Sequence, residues 1–154
     1  MDEQHLRTTE DSISGFDKRI QFLNKRDPRK IFKINVLLAQ PRTGSTMLSD
    51  YITKSGDLGL CEEWFNPFLL RKLSEFLQTQ SLSEIVNWIL TRAASADGVV
   101  SVNILVPHLI SLQQRNVELS LSFGKLVYLD RRNKIDQAVS LAKASKSKKY
   151  VKLT

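Results

Sequence analysis

The sequence predicts an α/β protein, a three-layer parallel sheet flanked by helices. Three observations carry this. The runs "IFKINVLLA" (31–39), "GVVSVNILV" (98–106) and "KLVYLD" (125–130) are rich in Val, Ile and Leu, as strands buried on both faces are. The stretches between them place apolar residues at helical spacing, the alternation of a parallel α/β sheet. The first run also opens through "QPRTGS" into a helix, the strand–loop–helix order that cradles phosphate, so the sheet is P-loop-like.

Each element has its own signal. Residues 1–29 are polar, with Pro28 near their end, and read as an N-terminal extension carrying a helix over "FDKRIQFLNK". The α/β domain then runs over 30–154. After Gly44, the residues Met47, Leu48, Tyr51 and Ile52 fall on one helical face. That helix stops at "KSGDLG", where Gly56 supplies a left-handed cap. "CEEWFNP" is irregular, and Pro67 opens a helix over "FLLRKLSEFLQ". "SLSE" is a capping box, Ser81 with Glu84, ahead of Leu82, Ile85, Val86, Ile89 and Ala93 at helical spacing. His108 follows Pro107 near another helix start, which gives it a surface or capping role. Trp64, Phe65 and Trp88 read as packing residues. The last helix runs from Asn133 to about Ala144, with Ile135, Ala138, Val139 and Ala142 as its apolar stripe.

A chain of 154 residues, 42% apolar and 25% charged, is one domain with a sizeable core. Its single cysteine, Cys61, forms no internal disulfide and suits a reducing compartment. No apolar run approaches the roughly 18–20 residues of a membrane span. The N-terminus has neither a basic region nor an apolar stretch of the secretory kind, so the expected location is cytoplasmic. The net charge of +7 resides in residues 131–154, which hold eight Lys or Arg and one acid. Such an end attracts a polyanion, a membrane or a phosphorylated small molecule, or is simply a solvated tail.

The first loop carries the clearest chemistry. Backbone N–H groups at a helix start point at an anion. Gly44 allows close approach, Ser45 and Thr46 add hydroxyls, and Arg42 adds a fork of donors suited to phosphate or sulfate. A hydrolysing P-loop would need glycine where Ala39 stands and lysine where Ser45 stands, so nucleotide hydrolysis is not expected. A Ser/Thr-capped helix after an ordinary loop is the simpler alternative. A second junction, "LDRRNKIDQAVS", again runs from strand into helix, with Arg131 at the strand exit and Ser140 in the helix. Parallel sheets bind ligands at that edge. Two such junctions suggest a ligand with two separate anionic groups.

The segments "QPRTGSTML", "GLCEEWFNP" and "LDRRNKIDQAVSLAKA" together resemble bacterial sulfotransferases of the trehalose 2-sulfotransferase and lipopolysaccharide-sulfotransferase kind, over about residues 31–150. The resemblance implies a donor, 3′-phosphoadenosine 5′-phosphosulfate (PAPS), and a carbohydrate or glycolipid hydroxyl as acceptor. It implies that Arg42, Thr43, Gly44, Ser45 and Thr46 hold the 5′-phosphosulfate, with Arg42 acting on the reacting group. By the same resemblance Arg131 and Ser140 would hold the 3′-phosphate, and Glu63 would be the catalytic base, with Glu62 as its competitor. The scheme requires no metal, and His5, His108 and Cys61 are scattered in the sequence. Asn103 stands where the family tends to carry lysine. Family members also continue well past Tyr150. A truncated, inactive nucleotide-binding module is therefore one alternative, and completion of the site by a homodimer is compatible with either reading. A nucleic-acid-binding protein using the basic tail is less expected, because the tail lacks interleaved aromatics.

Overall fold

A computed structural model of the protein describes residues 15–115 and 123–147. Residues 1–14 with His5, residues 116–122, and the tail lysines Lys148, Lys149 and Lys152 lie outside the described residues. Helix α1 covers residues 15–24. It is followed by β1 (Lys33–Ala39), α2 (Ser45–Ser55), α3 (Pro67–Leu77), α4 (Leu82–Ala93), β2 (Val99–Leu105), α5 (Val106–Gln114), β3 (Phe123–Leu129) and α6 (Lys134–Ser147). Among the described residues, six helices flank one open sheet of three parallel strands.

The strand order is β2-β1-β3. Lys33 to Ala39 pair in register with Val99 to Leu105. On the other edge Leu37 pairs with Val127 and Ala39 with Leu129, past a register shift between Ile34 and Val36. At that shift the Asn35 side chain accepts the Lys125 N–H at 3.0 Å. From β1 the chain moves to one side to make β2, then crosses back to the other side to make β3. The gap between β1 and β3 is therefore the topological switch point, where open parallel sheets bind ligands beyond the carboxyl ends of their strands.

The two faces of the sheet differ. Ile34 and Val36 share one face with Val100, Val102 and Ile104, and with buried side chains of α3 and α4 they form the main core. Leu37, Ala39, Ser101 and Asn103 occupy the opposite face, and α2 rests there with Ser45 and Ser49 buried. The polar stretch before residue 30 also feeds the core, because Ile20 and Leu23 of α1 are buried in the main cluster. Beyond α1, Arg26 closes the exit of α4: its Nε donates to Arg92 O at 2.6 Å and its Nη2 to Ala94 O at 2.9 Å. A cation on terminal carbonyls complements the helix dipole.

The capping signals hold with one change. Ser81 accepts the Glu84 N–H at the start of α4. Glu84 does not return to the Ser81 amide: its carboxylate accepts from the Thr79 hydroxyl, and Thr79 Oγ1 accepts from Ser81 N–H. Asn66 caps α3 ahead of Pro67, and Gly56 closes α2 at φ 80°.

The expected apolar stripe of α6 faces outward, and that of α2 is split, with Leu48 and Ile52 half-buried. On α2, Met47 and Tyr51 are 66% and 67% exposed, and the inner line is Ser45 and Ser49. On α6, Ile135 and Val139 are exposed, while Gln137 and Ser140 are half-buried and Ala144 is buried. Periodicity fixes a stripe's width but not its partner. Here small and polar residues let each helix approach the sheet and the loops. Among the described residues, no helix is long and apolar enough to cross a membrane.

The segment after α2 covers the outer edge of β2. Glu62 bridges Val102 in parallel, Asn103 N–H donates to Glu62 O at 3.0 Å, and Ser101 Oγ donates to Leu58 O. Gly59 makes this approach possible. Its φ is +76°, and a Cβ there would lie 2.6 Å from Val99 O and 2.7 Å from Ala93 O, both backbone atoms. Gly59→Ala is therefore expected to lower the melting temperature by several degrees, the left-handed strain alone being about 1–2 kcal/mol. A melt equal to wild type would show that the segment does not sit this close.

Candidate functional site

Four features of the first loop suit it to an anion. Gly44 ends it at φ 89° with no side chain capping α2, so the first-turn amides of α2 are unclaimed. No acid lies in that first turn. Arg42 is held at φ 66°, a left-handed conformation that a non-glycine residue adopts rarely and often at functional positions. Thr43 Oγ1 donates to Gln40 O at 2.8 Å and braces the turn. The hydroxyl proton of Thr43 is thus spent inside the loop. Ser45 is buried against the sheet, and Thr46 is exposed.

The second junction closes onto the first. Arg42 Nε donates to Ser140 Oγ at 3.0 Å across 98 positions of sequence. Gln137 Nε2 donates to Pro41 O at 2.9 Å, and Arg131 Nη1 reaches Arg42 O at 3.5 Å. Asn133 and Asp136 cap α6 reciprocally, Asn133 Nδ2 donating to Asp136 and Asp136 N–H to Asn133 Oδ1. That cap fixes where α6 begins and so where Gln137 and Ser140 face. Among the described residues, neither Arg42 nor Arg131 is paired with a carboxylate. The two strand-to-helix junctions are thus joined through Arg42, Arg131 and Gln137 at the switch point of the sheet. The Arg42 side chain is directed to α6 rather than back over its own loop, so it belongs to both junctions. Gln137 was missed in the sequence. Its three-residue spacing from Ser140 was the available signal, masked by the stronger apolar stripe on the same helix.

Glu63 lies apart from this cluster. Glu62 bridges Val102, which sets the segment one strand spacing outside β2 and about 10 Å, two spacings, from β1. Glu62 is paired with Arg19 at 2.9 Å, whereas the Glu63 carboxylate has no hydrogen-bond partner among the described residues. Burial pushes both carboxyl groups above their ordinary range. Arg19 opposes the rise in each, and a neighbouring acid adds to it, Asp50 for Glu62 and Glu62 for Glu63. Trp64 and Phe65 beside them are buried core residues, 2% exposed. Burial also pushes the Cys61 thiol up to about 11, although its bond to Ser49 Oγ opposes this. A thiol so placed is inert at neutral pH.

No protein-family model matches the chain, and neither does any curated protein or solved structure with which it was compared.

Proposed function

We propose that the protein binds an adenine nucleotide with two separate anionic groups and transfers sulfuryl from PAPS to a hydroxyl of a carbohydrate or glycolipid. What supports the reading is that Arg42 and Arg131, unpaired with any described carboxylate, join the two strand-to-helix junctions beside a helix start that carries no side-chain cap. In this P-loop-like scheme the α2 amides with Thr43, Gly44, Ser45 and Thr46 take the 5′-phosphosulfate. Arg131 and Ser140 take the 3′-phosphate, and Arg42 lies between the two.

The chemistry needs little more than fixed donors. Sulfuryl transfer moves SO₃ from the donor's bridging oxygen to the acceptor's oxygen, by analogy with phosphoryl transfer. Charge grows on the departing phosphate oxygen as the bond to sulfur breaks, and preorganised N–H groups stabilise it. The acceptor hydroxyl gives up its proton as its oxygen bonds to sulfur, and Glu63 receives that proton. A free carboxylate of raised pKa suits this better than Glu62, which Arg19 occupies.

Calorimetry with two ligands tests the binding half. Wild type should prefer 3′,5′-adenosine diphosphate to 5′-AMP, and Arg131→Ala should erase most of that preference. Arg42→Ala should weaken both ligands by about 1–3 kcal/mol, the range for a charge-assisted bond. A wild type without the preference would refute the 3′ site. The exposure of β3, where Leu126 and Tyr128 are uncovered, favours a second reading, nucleotide binding without transfer. A folded, nucleotide-binding protein with no turnover would establish it.

A further inference from the structure

Asn103 is a buried amide whose side chain has no partner among the described residues. It is 1% exposed, and both Nδ2 and Oδ1 lack a hydrogen-bond partner among the described residues. Its backbone N–H is satisfied by Glu62 O, and its strand neighbours are Val102 and Ile104. Leucine or valine would fill the position without the penalty of a buried unpaired amide. Breaks with local rules of this kind are concentrated at functional sites.

Its place in the fold gives the amide a direction. Asn103 pairs with Leu37, two residues before the end of β1. Strand alternation puts it on the face of Ala39 and Leu105. On that face α2 buries Ser45, its first residue, and Ser49, one turn on. Strand alternation therefore places the Asn103 side chain on the sheet face that α2 covers, where Ser45 of its first turn is buried. An amide has a donor end and an acceptor end, and a bare phosphate or sulfate satisfies only the first. A water satisfies both, and buried waters sit where otherwise unpaired polar groups surround them.

We infer that Asn103 is a positioning residue for the 5′ anionic group, holding one water that bridges its amide to the phosphate or sulfate at the α2 N-terminus. The inference rests on the nucleotide reading above and adds to it an inner, uncharged contact. Bridging waters of this kind contribute nearly as much as direct bonds.

The test compares two nucleotides by calorimetry. 3′,5′-Adenosine diphosphate carries the 5′ group and 3′-AMP lacks it. Asn103→Leu should bind 3′,5′-adenosine diphosphate about tenfold more weakly than wild type, one lost bond to a charged group. Its affinity for 3′-AMP should be unchanged, and Asn103→Ser, which keeps a polar group and room for the water, should recover most of the loss. Asn103→Val, suited to a strand, provides the same comparison if the leucine variant does not fold. Wild-type affinity in the apolar variant, or equal loss for both ligands, overturns the inference and leaves the nucleotide reading standing. A wild type that binds neither nucleotide overturns both.

Discussion

Glu63→Gln is expected to leave affinity for 3′,5′-adenosine diphosphate unchanged and to cut sulfuryl transfer by roughly 10²–10⁴, the usual share of a general base. Two geometric facts single this residue out. Glu62 is held by Arg19 at 2.9 Å, and Glu63 sits next in sequence with its carboxylate unbonded among the described residues. Glu62→Gln should therefore cost much less turnover. The same substitution has a stability signature. Burial raises the Glu63 pKa above 4.5, so the folded protein holds that proton more tightly than the unfolded chain does. Stability must then fall as pH rises from about 4.5 through the raised value. The glutamine variant cannot ionise and should show a shallower fall in urea titrations across that window. Full turnover in Glu63→Gln would remove the base assignment. A pH dependence identical to wild type would remove the account of its burial.

Trp64→Ala should be the most damaging single change to the fold, costing about 3–5 kcal/mol. The indole is 2% exposed within the main core, and its Nε1 donates to Leu60 O at 3.0 Å. Truncation leaves both a cavity and an unpaired carbonyl. It also frees the segment that carries Glu62 and Glu63 along β2, so loss of stability and loss of transfer should appear together. Trp64→Phe keeps most of the volume and isolates the hydrogen bond, worth about 1 kcal/mol. Equilibrium unfolding in urea measures both. A loss under about 1 kcal/mol for Trp64→Ala would show that the segment is anchored elsewhere.

The strands were legible because β1 and β2 are enclosed on both faces, which their composition records directly. Helix ends were legible where a residue has a chemical signature, as at Pro67, Ser81 and Gly56. Which way a helix turns was not. On α6 Ile135 and Val139 are exposed while Gln137 and Ala144 turn inward, and on α2 Met47 and Tyr51 are exposed while Leu48 and Ile52 are half-buried and Ser45 and Ser49 buried. That choice depends on what stands opposite each helix, and one chain segment does not contain it. The polarity of the residues before position 30 likewise concealed Ile20 and Leu23, too few to form a pattern yet enough to enter the core. At the candidate site the two arginine-bearing junctions were visible as separate strand-to-helix turns. Their contact through Arg42 and Ser140 follows only from the order of strands. Asn103 stood out in the sequence only as a departure from the resemblance, and its amide becomes conspicuous only once its burial and lack of a partner among the described residues are known.

β1 lies between two strands that are both remote from it along the chain. Ile34 pairs with Val100 on one side and with Phe123 on the other, so neither ladder can form as a local hairpin. Closing such long loops is entropically expensive before any contact rewards it, and topologies of this kind fold slowly. Of the two closures, the one that brings β3 and α6 to β1 spans more sequence and cannot come before β3 has been synthesised. The pairing of Arg42 with Ser140 is thus a late product of folding. On the nucleotide reading proposed above, a nascent chain would own the first loop long before it owned both junctions, and nucleotide affinity would report completed folding rather than the loop alone.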